Sequence, residues 1–72
     1  MSFRYVKING LFGDEAACGI EQGDRLLLDT ARSPREGDIT LVRRGRVPTV
    51  RRWSPGSGDE LVGVVVALKR RL

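Results

Sequence analysis

Glycine and proline punctuate the chain at short intervals, and the runs between them are rich in Val, Ile, Leu and Thr. This pattern predicts short strands joined by turns. Residues 3–8 read as a first strand, with Tyr5 facing away from Val6 and Ile8. Residues 10–23 hold Gly10, Gly13, Gly19, Gly23 and Ala16-Ala17, and read as a loop with room for one helical turn. Gly23-Asp24 is a turn signal, because glycine tolerates positive φ and Asp bonds nearby backbone. Residues 25–28 then read as a mostly buried strand. Residues 29–36 are a polar loop, Gly37-Asp38 repeats the turn signal, and residues 39–42 form the next strand. Arg44-Gly45-Arg46 turns a hairpin, and residues 47–53 return, with Pro48 confined to an edge or bulge. Residues 54–59 read as a flexible turn. Residues 61–68 are nearly all apolar and read as a last strand covered on both faces. Residues 61–72 could rival this as a helix, but Gly63 followed by Val64, Val65 and Val66 favours strand. The expected class is all-β, with residues 1–72 as a single domain.

A chain of 72 residues buries a small core and has little stability to spare, so a partner or a second copy would help it. Charge adds a second signal. Thirteen basic residues face nine acidic ones, for a net charge of +4. All the basic residues except Lys7 and Lys69 are arginines. Arg43, Arg44, Arg46, Arg51 and Arg52 crowd one hairpin, and Lys69, Arg70 and Arg71 lie at the C-terminal end. A cationic surface attracts phosphate backbones or acidic protein faces. The plainer alternative is solvated charge on outward strand faces. Trp53, beside Arg51 and Arg52, reads either as a stacking platform or as a cap on the core.

Cys18 is the only cysteine and histidine is absent. This excludes an intramolecular disulfide, a thiolate metal cluster and any His-based catalytic pair. No metal or cofactor is expected. Cys18 reads as a small apolar residue rather than a nucleophile, since no histidine is there to activate it. The first ten residues lack an apolar run fit for a signal peptide. The longest apolar stretch, residues 64–68, is too short to span a bilayer. The expectation is a cytoplasmic protein with no membrane partner.

The stretch Gly23-Asp24-Arg25-Leu26-Leu27-Leu28-Asp29, followed by Arg35-Glu36-Gly37-Asp38-Ile39, resembles the LexA and UmuD self-cleaving proteins and the signal peptidases. Gly45-Arg46-Val47-Pro48-Thr49-Val50-Arg51-Arg52 stands where that family has a hairpin carrying its general-base lysine. Glu60-Leu61-Val62-Gly63-Val64-Val65-Val66 stands for its terminal strand. Order and spacing hold from Ile8 to Leu72. The resemblance implies a small, partly open β-barrel of about five short strands, a LexA- and signal-peptidase-like core.

The departures from the family decide the expected function. The family's nucleophilic serine aligns with Glu15, or with Asp14 if the longer form of its motif is used. The lysine aligns with Arg51. A catalytic lysine must be neutral to accept the serine proton, and burial can achieve that. Arginine is not deprotonated in proteins. The expectation is therefore no enzymatic activity, a degenerate dyad at Glu15 and Arg51, and an ion pair between these two as one alternative to a solvated Glu15. Residues 54–60 replace a longer segment of the family. The first functional expectation is a non-catalytic interaction module. It would dimerise through its C-terminal strand or hold a peptide or protein partner by strand addition. The alternative is a nucleic-acid-binding β domain using Arg43, Arg44, Arg46, Arg51, Arg52 and Trp53 with Lys69, Arg70 and Arg71.

Overall fold

The computed structural model describes residues 2–9, 12–13, 18–56 and 58–70. It is all-β. Strands run over Phe3–Lys7 (β1), Phe12–Gly13 (β2), Arg25–Asp29 (β3), Ile39–Arg44 (β4), Val47–Arg52 (β5) and Glu60–Lys69 (β6). They form one sheet in the order β1-β3-β6-β4-β5-β2. The pairings are antiparallel except for the two-residue β2, which lies parallel to β5. The segment expected to be a loop with room for one helical turn holds the two-residue β2, and its residues 14–17 lie outside the described residues. Among the described residues no helix is long and apolar enough to cross a membrane.

The two Gly-Asp turns share one geometry. Asp24 N–H donates to Glu21 O (3.1 Å) while Glu21 N–H donates back to Asp24 Oδ2 (2.8 Å). Asp38 and Arg35 repeat this at 3.0 and 2.9 Å. The glycines between them sit at φ 90° (Gly23) and 88° (Gly37), the left-handed region that a turn of this kind needs at its third position. Each Gly-Asp pair is thus a self-closing turn that launches the next strand, β3 or β4.

The sheet is open, because β1 and β2 end it without pairing to each other among the described residues. The all-β class expected from the sequence holds, and the strands form an open sheet of six rather than about five. Only residues 8–11 separate Lys7 from Phe12. That chain can reach at most about 18 Å, whereas a flat sheet would hold strands at the two ends of this order about 24 Å apart. The edges must therefore bend toward each other. A cleft of about 300 Å³ marks the approach, lined by Arg4 and Val6 of β1 together with Leu41, Arg43 and Pro48 of β4 and β5.

β6 supplies the bend. Its register to β3 slips between Leu27 and Leu28, and its register to β4 slips between Leu41 and Val42. Val66 and Val62 are the extra residues, and such bulges bend and twist a strand. Gly63, between them, is buried where β6 crosses β3. A Cβ there would come within 3.0 Å of Leu28 Cβ and 3.3 Å of Asp29 O. Glycine avoids this crowding, which any side chain at the position would relieve only by pushing β3 away.

The core fills the inside of the curl with Ile8, Ile20, Leu26, Leu28, Leu41 and Val50, joined by Val6, Cys18, Ile39, Val62 and Val65. Leu41 and Val42, neighbours on β4, are both buried, so the middle of the sheet is covered on both faces. The full burial expected for residues 61–68 holds only in part. Val64 is 1 % exposed, but Val66 is 39 % and Leu68 41 % exposed. The two ladders of β6 divide along it, β4 pairing with its first half up to Val64 and β3 with the remainder from Val64 on, so that only Val64 has a described partner on both sides. Beyond Val64 its described pairing is with β3 alone.

Candidate functional site

Arg51, at the position the resemblance gives to the general base, projects from β5 opposite Thr40. Its Nη1 donates to Asp59 Oδ2 at 2.8 Å and its Nε to the Arg52 carbonyl at 3.3 Å. Arg44 Nε donates to Asp59 Oδ1 at 3.1 Å. The Asp59 side chain is 8 % exposed and bridges both guanidiniums. Burial alone would raise its pKa, but the hydrogen bonds from Arg51 and Arg44 outweigh this and hold the carboxyl below its ordinary value. Glu15 and Asp14, the two candidates for the serine position, lie outside the described residues. Within the described residues Asp59 is the carboxylate paired with Arg51. Cys18 is half-buried and packs against the core. Among the described residues no group of three or more potential ligands could hold a metal ion.

The hairpin arginines do not make one surface. Strand alternation places Arg44 and Arg51 on one face of the β4–β5 ribbon and Arg43 and Arg52 on the other, with Arg46 in the turn. Arg44 and Arg51 are engaged by Asp59. Arg52 Nη1 donates to Gly37 O at 3.4 Å. Trp53 is half-buried and ties the end of β5 to the second Gly-Asp turn. Its N–H donates to Asp38 O (2.7 Å), and its carbonyl accepts from Gly37 N–H (3.1 Å).

The C-terminal basic residues are also divided. Arg71 lies outside the described residues. Arg70 folds back on the first Gly-Asp turn. Its Nε and Nη2 donate to Asp24 Oδ1 and Oδ2 at 3.1 and 3.0 Å, and its Nη2 also donates to the Gly19 carbonyl at 2.9 Å. Glu21 lies 3.1 Å from Arg70 Nε. Asp24 is 2 % exposed. The Arg70 guanidinium, then the Glu21 N–H, hold its carboxyl below the ordinary range, and Asp24 in turn pushes Arg70 above its own.

Lys69 belongs to a different group, one that strand order assembles. Lys7 on β1 lies opposite Arg25 on β3, and Arg25 lies opposite Lys69 on β6. Directly opposed side chains have Cβ atoms about 5 Å apart, and like charges there repel. All three are exposed, and none is in an ion pair among the described residues. With Gln22, Gly23 and Arg70 they line a cleft of about 460 Å³. The next row on the same face is Tyr5, Leu27 and Ala67. Tyr5 is 63 % exposed, and Phe3, two residues further along β1, is 51 % exposed. Charge clustering along the sequence points to Arg43–Arg52 and misses Lys7 and Arg25. These residues are far apart in the chain, and only the β1-β3-β6 order brings them together. No family model and no curated protein matches the chain.

Proposed function

We propose that the chain is a non-catalytic binding module on a partly open, LexA- and signal-peptidase-like barrel, and that it works in the cytoplasm as a homodimer. The observation that carries the reading is the state of Arg51. Where a lysine would have to lose its proton, a guanidinium is held in an ion pair by Asp59 and cannot act as a base. The curl of the sheet around the core supports the barrel-like likeness.

Dimerisation rests on the free half of β6. Beyond Val64 the strand keeps one ladder edge without a described partner and presents Val66 and Leu68 to solvent. An unpaired apolar edge invites another strand. A two-fold axis pairs two such edges and closes the assembly. The same edge could instead receive an extended peptide by strand addition.

Sedimentation equilibrium at micromolar concentrations should give a dimer that Leu68→Asp converts to monomer. Leu68 suits this test better than Val65, which packs on the core. A monomer at about 100 µM, a concentration that would populate even a weak dimer, would remove the dimer. A dimer indifferent to Leu68→Asp would move its interface elsewhere.

A further inference from the structure

We infer that the outer face of β1, β3 and β6 binds single-stranded nucleic acid. The Lys7–Arg25–Lys69 row would take the phosphates and Tyr5 would stack on a base. This goes beyond the binding-module reading and depends on neither the dimer nor the lost chemistry.

The first ground is charge. Three cations stand in register across three strands, an arrangement that weakens the sheet unless an anion relieves it. Among the described residues the nearby acids do not supply that anion. Asp24 and Glu21 are engaged by Arg70. Asp29, at the far end of the face, accepts the N–H groups of Ala31 and Arg32 at 3.0 and 3.1 Å. Among the described residues, the cleft that Lys7, Arg25, Lys69 and Arg70 line has no carboxylate in its wall.

The second ground is the neighbouring row. Phe3, Tyr5 and Lys7 share one face of β1, spaced about 7 Å apart along the strand. Tyr5 and Phe3 leave more than half of their surface in water. Aromatic rings beside a cationic groove are the elements that hold unpaired bases without sequence preference, since every base has a face to stack. A duplex keeps its bases stacked on each other and would engage only the charges. The aromatic row therefore favours single strands.

The test is fluorescence anisotropy of a labelled oligothymidylate about 15 nucleotides long, titrated with the full chain at about 50 and 200 mM salt. Binding is expected at the lower salt, weakening linearly in log K against log salt. The triple variant Lys7→Gln, Arg25→Gln, Lys69→Gln should lose at least about tenfold in affinity and flatten the salt slope by roughly two. Tyr5→Ala should lose about tenfold, and Tyr5→Phe should retain binding. The hairpin variant Arg43→Gln, Arg46→Gln, which leaves the Asp59 ion pairs intact, should change little. Amide shifts of the unmodified protein on adding the oligonucleotide should map to Lys7, Arg25 and Lys69, which guards against a variant that fails to fold. The inference is overturned by no binding at about 50 mM salt, or by loss in the hairpin variant but not the row variant. Equal affinity for duplex, or binding to anionic phosphatidylserine vesicles but not to the oligonucleotide, would also overturn it.

Discussion

Leu28→Ala should remove a large share of the protein's stability. Leu28 is fully buried at the crossing of β3 and β6, opposite Val65 and against the backbone of Gly63. Removing a buried leucine side chain costs about 2–5 kcal/mol, and the upper part of that range applies where the surroundings cannot collapse. The wall facing Leu28 includes backbone, which cannot move in to fill the space. A domain of this size has a total stability of about 4–11 kcal/mol. One substitution can therefore consume a large share of it. Urea unfolding followed by Trp53 fluorescence should show the midpoint fall by at least a third. A shift of a few per cent would mean that the crossing does not hold the sheet together.

Acid should unfold the domain through Asp24 and Asp59. Both carboxyls sit below their ordinary value of 3.8 in the folded state. Each therefore binds a proton more readily when the chain is unfolded. Their stabilisation is fully present well above 3.8, and it is lost as the pH falls through the lowered folded values. Asp24→Asn should destabilise the protein at neutral pH, because it leaves the Arg70 guanidinium without its bidentate partner and frees the first Gly-Asp turn. The variant should also show a shallower loss of stability below about pH 4, converging with the parent protein at the acid end. Asp59→Asn should behave in the same direction, acting through Arg44 and Arg51. Unfolding midpoints measured across the acid range check this. Parallel curves for the parent protein and Asp24→Asn would show that the carboxylate does not carry the acid sensitivity.

Much of this architecture is legible in the chain because local chemistry fixes it. The two Gly-Asp turns, β3 through β5 and the alternation of Tyr5 against Val6 and Ile8 each follow from a few adjacent residues. β6 is harder, since its apolar run does not alternate. The bulges at Val62 and Val66 reset which face each residue takes, so a continuous run of valines can be half buried and half exposed. β2 has no legible period because it is two residues long and depends on β5 for its partner. Asp59 sits in a stretch that reads as a flexible turn, and its role needs Arg44 and Arg51 brought beside it by the β4–β5 hairpin. The Lys7–Arg25–Lys69 row is invisible for the same reason, as no pattern along the chain states that the first, third and last strands are neighbours. Arg51 and Arg44 carry the opposite lesson. Their clustering in the sequence suggests a free cationic surface, yet a single buried carboxylate takes both.

The proposed absence of peptidase chemistry is tested most directly on the purified chain, incubated for days across about pH 7 to 10, where a lysine base would be active, and then weighed intact. An unchanged mass at every pH is the expected result, with the same outcome for Cys18→Ala. A discrete pair of fragments summing to the parent mass would contradict it, and their disappearance in Cys18→Ala would place the nucleophile at Cys18.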